Sequence, residues 1–326
     1  MAQCNGCLKD NSKGFCSSCE TILFDRSKVS PQLKFNWEDI SKKIDGQPMG
    51  FSISGVQRKG FIGKPRGIEL VPRMNVDEKS QYIIKPMLSR FNLPDQSPAN
   101  EHVTMQIAKQ LFSIKIAECA FMSFANGTPA YITKRFDYDA NGEKLNQEDF
   151  VSVLKAADKY ASKTYQDVGE WLSPLNRVDF LRILIFNFLT GNGDVHLKNI
   201  SLLETADGDM MLSPSYDLMN TKIHLTDNLL ALNLFGEMEQ TNLPLGEKYG
   251  YRREDFIEFG KRLKIRETII TKIIDTYDKK EDEILIMVDK SFLSDDARKL
   301  YKNNVVENYK LFRQSNLIAN INVRLL

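Results

Sequence analysis

The chain has 326 residues, 42% of them apolar and 27% charged, enough to bury a sizeable core behind a polar surface. That length fits one large bilobed domain or two ordinary ones. Lys and Arg total 44 against 43 Asp and Glu, so no global field draws the chain onto nucleic acid or an anionic membrane.

The most apolar run, FLRILIFNFL (180–189), is about half a membrane span and contains Arg182. The opening residues, MAQCNGCLKD, hold no apolar signal region. The expected location is therefore the cytoplasm, with leaderless export left open.

Residues 1–24 read as a small cysteine-rich unit. Cys4-x-x-Cys7 and Cys16-x-x-Cys19 are eight residues apart, and Gly6 and Gly14 supply turns. Four thiolates suit a tetrahedral Zn²⁺. The gap is shorter than the common zinc spacing. Disulfides, in a chain acting outside the cell, and free thiols stay open as alternatives. The unit is too small for a core of its own, which calls for a staple. It could dock a partner. Cys119, inside IAECAFMSF, reads as a core thiol.

A polar stretch follows (25–39), then strand and turn signals from about 50 to 137. GFSISGVQRKGFIG (50–63) alternates, and SQYIIKPM (80–87) is a short β-rich run. SPANEHVTMQIAKQLF (97–112) predicts a helix with Ser97 as N-cap and Pro98 at the first position. IKIAECAFMSF and PAYITKRFDY predict two strands joined by the turn ANGT. After about 140 the spacing turns helical, in 147–160, in 176–192 and in three charged segments from 252 onward. The expected architecture is α+β: the cysteine unit (1–24), a sheet-rich part (25–137) and an all-helical part (138–326). A ligand between the last two is the default.

GDVHLKN (193–199) concentrates the polar chemistry. Asp194 and Asn199 are five positions apart in a loop after a buried helix, the separation used by kinase catalytic loops. Phosphoryl transfer needs an acceptor near the attacking hydroxyl and an oxygen ligand for Mg²⁺ close by. Lys198 could neutralise charge on the transferred group. Asp217, after an apolar segment, could bridge the metal to the phosphates. Upstream, Lys85 on a predicted strand could contact the phosphates, with Glu101 in the next helix to hold it.

Taken together, SISGVQRK, YIIKP, NE, TKRFD, TGNGDVHLKN and SPSYDLMN resemble the motifs of the HipA-like serine/threonine kinases, over roughly 50–220. Among them the chain is similar to the short members that lack the N-terminal extension lobe. The resemblance implies a two-lobed kinase fold related to phosphoinositide 3-kinases, with ATP and Mg²⁺ as cofactors. It implies Asp194 as catalytic acceptor, Asn199 and Asp217 as Mg²⁺ ligands, and Lys85 on the phosphates with Glu101 as its partner. His196 would orient the loop or touch phosphate. The backbone of Lys134 and Phe136 would meet the adenine, and Ser54, Gly55 and Gln57 would line the phosphates. Ser52 or Ser54 would be autophosphorylated, and a dianion there would repel ATP and switch the enzyme off. The sequence departs from the family at Lys134, where a glutamate is usual, and in a loop with a single central glycine, Gly55. The resemblance implies a protein substrate, and an antitoxin partner is left open.

A lipid kinase is a second reading, because GDVHLKN also resembles the loop of phosphoinositide kinases. The balanced charge and the lack of a basic amphipathic helix weigh against membrane work. A non-catalytic binding module is a third. Lys9 and Lys13 without alternating aromatics give little support to nucleic-acid binding.

Overall fold

The computed structural model describes residues 2–11, 14–44, 58–73, 80–89, 91–139, 141–160, 162–225, 229–236 and 250–314. Strands β1 (Ala2–Gln3) and β2 (Asp10–Asn11) form an antiparallel ribbon, followed by helix α1 (Ser17–Phe24). This unit does not stand alone. Cys4, Phe15, Cys19, Leu23 and Phe24 share one buried cluster with Tyr82, Ile84, Ala120 and Ile132 of the neighbouring sheet. Phe24 meets Tyr82 at 5.7 Å between rings, and the Tyr82 hydroxyl donates to the Leu23 carbonyl at 2.7 Å.

Helix α2 (Trp37–Ile44) precedes a four-stranded antiparallel sheet of order β3-β4-β6-β5. Its strands are β3 (Gly60–Ile62), β4 (Tyr82–Pro86), β5 (Cys119–Ser123) and β6 (Pro129–Lys134). Only the end of the predicted strand 50–63 is described, as β3. The β5–β6 turn bends at Gly127, whose φ of 84° costs a glycine little. In β4 the side chains alternate faces. Tyr82 and Ile84 enter the cluster shared with the cysteine unit, and Lys85 faces the other way, opposite Tyr131 of β6.

Helix α3 (Ser97–Phe112) runs between this sheet and the later helices and is buried along most of its length. The predicted N-cap is corrected here. Ser97 is the first helical residue, because a one-turn 3₁₀ helix (Pro94–Gln96) precedes it. Its hydroxyl donates to the Pro94 carbonyl at 2.8 Å and accepts from the Leu88 amide at 3.0 Å, fastening the helix start to the exit of β4.

The expectation of an all-helical second part is also corrected. Strands β7 (Gln147–Asp149), β8 (Ser201–Glu204) and β9 (Met210–Leu212) form a second antiparallel sheet. Segment 147–160, expected as a helix, opens with β7 and continues as a single turn, α4 (Phe150–Val153), capped by Asp149. The apolar spacing there serves the packing of Phe150 and its neighbours, and the strand gains the edge of β8 for its backbone.

Helix α5 (Tyr165–Trp171) leads into α6 (Pro174–Thr190), which begins at the N-cap Ser173 and ends at Gly191, φ 74°. The chain closes with α7 (Arg253–Arg262), α8 (Glu267–Asp278), α9 (Glu281–Asp289) and α10 (Asp295–Arg313). The apolar faces of α3, α6 and these helices make one continuous core. Among the described residues no helix is long and apolar enough to cross a membrane.

Candidate active site

Lys85 leaves β4 on the face of Tyr131, with its ammonium 5.4 Å from that ring's centre. It donates to Glu101 Oε1 of α3 at 2.7 Å and to Asp217 Oδ1. Glu101 is 1% exposed. Burial works against the Lys85 charge, but the Asp217 and Glu101 carboxylates beside it hold its pKa above the usual lysine range. Burial also pushes the Glu101 carboxyl up to about 7, against the pull of Lys85. Asp217 is 44% exposed at the side chain. Burial of the site works to raise its pKa, and the ammonium groups of Lys85 and then Lys59 bring it below the usual carboxylate range.

Asp217 is placed from both sides. A parallel bridge between Ile116 and Ser215 ties the chain before it to the segment entering β5. After it, Asn100 and Asn220 exchange two hydrogen bonds: the Asn100 amide donates to the Asn220 carbonyl at 2.9 Å, and Asn100 Oδ1 accepts from the Asn220 amide at 3.1 Å. Asn100 adjoins Glu101, so one helix turn fixes both acids around Lys85. Asp217 itself sits at φ 57°, a left-handed conformation uncommon outside glycine and typical of functional positions.

The second half of the site is the loop after α6. Gly191 reverses the chain, and Thr221 holds it by donating its amide to the Gly191 carbonyl and accepting from the Gly193 amide at 2.9 Å. Asn192 Oδ1 accepts from the Asp194 amide, and the Asn199 side chain donates to the Asp194 carbonyl at 2.8 Å. That bond engages the Asn199 amide nitrogen and leaves its oxygen for a cation. The Asp194 carboxylate is 43% exposed and accepts from the Tyr160 hydroxyl at 2.6 Å. His196 is 2% exposed, with Nε2 3.7 Å from Asp194 Oδ1. Burial lowers its pKa, the nearby Asp194 and more weakly Asp217 oppose this, and neither ring nitrogen meets a hydrogen-bond partner among the described residues.

Lys198 lines a cleft of about 520 Å³ with Asp137, Gln147, Asp149 and Tyr216, and its carbonyl accepts from the Tyr216 hydroxyl at 2.8 Å. Phe136 packs on Tyr216 at 5.8 Å, and Asp137 adjoins it at the cleft wall. Lys134 turns its side chain away, to Asp25 at 2.8 Å and the Ile22 carbonyl at 3.1 Å, and its amide donates to the Glu118 carbonyl. Ser52, Ser54, Gly55 and Gln57 lie outside the described residues.

Three contributors were missed in the sequence. Tyr160 was assigned to a helix, whereas an Asp158 carboxylate accepting its amide turns it toward Asp194. Lys59 and Asn100 lay inside the quoted motifs without a role. No local signal pointed to Tyr160, because its partner is 34 residues away.

The four N-terminal cysteines form a separate cluster. Their sulfurs all lie within 4.8 Å of one another, and all are free thiols. The Gly6 and Cys16 amides donate to Cys4 Sγ at 3.4 and 3.2 Å. Hydrogen bonds from the Cys19 and Cys7 thiols hold the Cys4 thiol far below its usual range. A Cβ at Gly6 would come 2.6 Å from Cys19 Sγ, so the turn is drawn tight around the sulfurs. Four soft donors at this separation can hold a metal ion.

Residues 51–284 match the model of the HipA-like C-terminal domain. A Haemophilus influenzae protein named "Putative kinase" is 26% identical over 319 residues, 88% of this chain and 89% of that one. The Shewanella oneidensis serine/threonine-protein kinase toxin HipA is 27% identical over 187 residues, 49% of this chain and 41% of that one. Among solved structures, HipA of the Shewanella oneidensis MR-1 toxin–antitoxin complex with HipB and operator DNA is similar at a TM-score of 0.59 and 20% identity, covering 86% of this chain and 71% of that one. That likeness is one of fold, in a protein that mixes helix and sheet as this one does. The family model spans more than half the chain, and the chain belongs to the HipA-like C-terminal domain family.

Proposed function

We propose that the chain is a serine/threonine protein kinase that uses ATP with Mg²⁺. One observation carries the reading: Lys85 and Glu101, from the first sheet and its helix, meet Asp217, which follows the second sheet and whose neighbour Tyr216 bonds the Asp194–Asn199 loop at the Lys198 carbonyl. Two lobes, 25–137 and 138–326, would join there, as in the phosphoinositide 3-kinase-related fold.

Lys85 binds phosphate oxygens, and Glu101 keeps it extended from β4. Asn199 and Asp217 would hold Mg²⁺, which supplies charge neutralisation on the triphosphate when bound. Asp194 accepts the proton of the attacking hydroxyl as its oxygen bonds to the γ-phosphorus and the bond to the ADP oxygen breaks. The Tyr160 bond occupies Asp194 Oδ1 and orients the carboxylate. His196, buried beside Asp194, orients the loop, and Lys198 adds positive charge from the cleft. The Phe136 backbone and the Lys134 carbonyl meet the adenine, the Lys134 amide being taken by Glu118. Ser54, Gly55 and Gln57 line the phosphates, and Ser52 or Ser54 takes the autophosphate. The four cysteines would hold a structural Zn²⁺. Shewanella HipA is solved with HipB and operator DNA; by that likeness a small antitoxin protein is the proposed partner.

Labelled phosphate transfer from Mg·ATP tests the reading. Wild type is expected to label itself on Ser52 or Ser54, and Asp194→Ala to stay unlabelled with ATP binding retained. Equal labelling of Asp194→Ala and wild type would overturn the assignment of Asp194.

A further inference from the structure

The cysteine cluster reaches the helix that carries Glu101 through its own backbone. Gly6 lies inside the first C-x-x-C turn, and its carbonyl meets His102 Nε2 at 2.9 Å. A carbonyl only accepts, so His102 carries its proton on Nε2. His102 is fully buried and directly follows Glu101. Eight residues on, the Gln110 side chain donates to the Cys7 carbonyl at 2.8 Å. His102 and Gln110 are about two turns apart, so both bonds fall along one side of α3. The same cysteine turn pairs with β5, where Asn5 exchanges hydrogen bonds with the Phe121 backbone, each at 2.9 Å.

A two-stranded ribbon of two residues per strand has little means of holding this turn by itself. Backbone bonds from Cys4 to Lys9, Asn5 to Gly14 and Leu8 to Cys4 outline it, and its interior is occupied by the sulfurs, where Gly6 closes on Cys19 and the amides of Gly6 and Cys16 point at Cys4. We propose that a Zn²⁺ ion bound by Cys4, Cys7, Cys16 and Cys19 clamps α3 through the Gly6 and Cys7 carbonyls, and so sets the position of Glu101 against Lys85. The activity arm of this proposal rests on the kinase reading; the metal and helix arms do not.

The test uses the full chain. Elemental analysis is expected to find one zinc per chain, and Cys7→Ser/Cys16→Ser to lose it. Stripping the metal is expected to speed amide exchange in 97–112 roughly fivefold or more, with Pro174–Thr190 unchanged. The Asn5→Ala/Gln110→Ala variant keeps every sulfur, so it is expected to retain zinc and still show faster exchange in 97–112. This variant decides the matter if the stripped chain unfolds throughout. A chain without zinc overturns the site, and unchanged exchange in 97–112 overturns the clamp. If autophosphorylation is present and indifferent to metal removal, the link to Glu101 falls. If neither form transfers phosphate while exchange responds, the kinase reading falls and the clamp stands.

Discussion

The Lys85–Glu101 pair is expected to cost the fold stability rather than supply it, and a double-mutant cycle can show this. Both groups are buried, and an ion pair in that setting recovers its desolvation only with ideal partners. The upward pull of burial on Glu101, to about 7, says that desolvation outweighs the attraction to Lys85. Replacing Glu101 by Leu strands the ammonium. The usual loss on breaking a buried pair is about 3–5 kcal/mol. Lys85 keeps Asp217 as a second partner, so the loss is expected near the lower figure. Replacing both residues, Lys85→Met with Glu101→Leu, removes the stranded ammonium, leaves apolar chains of similar length beside Tyr131, and leaves the half-exposed Asp217 to solvent and Lys59. Stability is then expected to return to within about 1 kcal/mol of wild type. Urea unfolding followed by far-ultraviolet circular dichroism reads the four corners of the cycle. ATP-dependent labelling is expected to vanish in all three variants. A double variant clearly less stable than wild type would refute the argument, because the pair would then be worth more than the apolar chains that replace it, and losses that simply add would mean that the two residues are not coupled at all.

All three histidines of the chain are buried, and burial lowers the pKa of each, His102 to about 4. A depressed folded pKa means that the unfolded chain binds more protons, so the stabilisation is complete above pH about 6.5 and drains away as pH falls toward 4. His102 alone accounts for a loss on the order of 3 kcal/mol across that window; urea midpoints that do not fall between pH 7 and pH 4.5 would contradict this. Tyr160→Phe removes the 2.6 Å bond to Asp194 but, with Tyr160 51% exposed, is expected to change stability by no more than about 0.5 kcal/mol. Its labelling rate is expected to drop roughly tenfold with ATP affinity unchanged, as for a residue that orients the acceptor; an equal rate would remove Tyr160 from the site.

Much of the first sheet could be read from the residues because its signals are local. YIIKP carries β-branched and aromatic residues, and ANGT turns at Gly127. Segment 147–160 misled because its apolar spacing fits a helix, while the choice was made by a strand partner more than fifty residues away. Helix α3 could be read as a helix but not as a buried one. Asn100, Glu101, His102, Thr104 and Gln106 form a polar run that looks exposed, and each is buried against a distant partner or site.

Those buried polar residues explain how one helix coordinates the site. Asn100 grips the segment carrying Asp217, Glu101 grips Lys85, and His102 grips the cysteine turn, in three consecutive positions. Three neighbours on a helix point about 100° apart and cannot share one surface. Only a helix buried on several sides can use all of them, and α3 is wedged between the sheet and the later helices. Each of the three partners lies on a different part of the chain, so a shift of α3 moves Asp217, Lys85 and the cysteine turn together. A helix with one solvated face would hold at most two of them, and the third would be left to follow loosely. The burial that hid these residues from a sequence reading is the same burial that lets them set the geometry of the site.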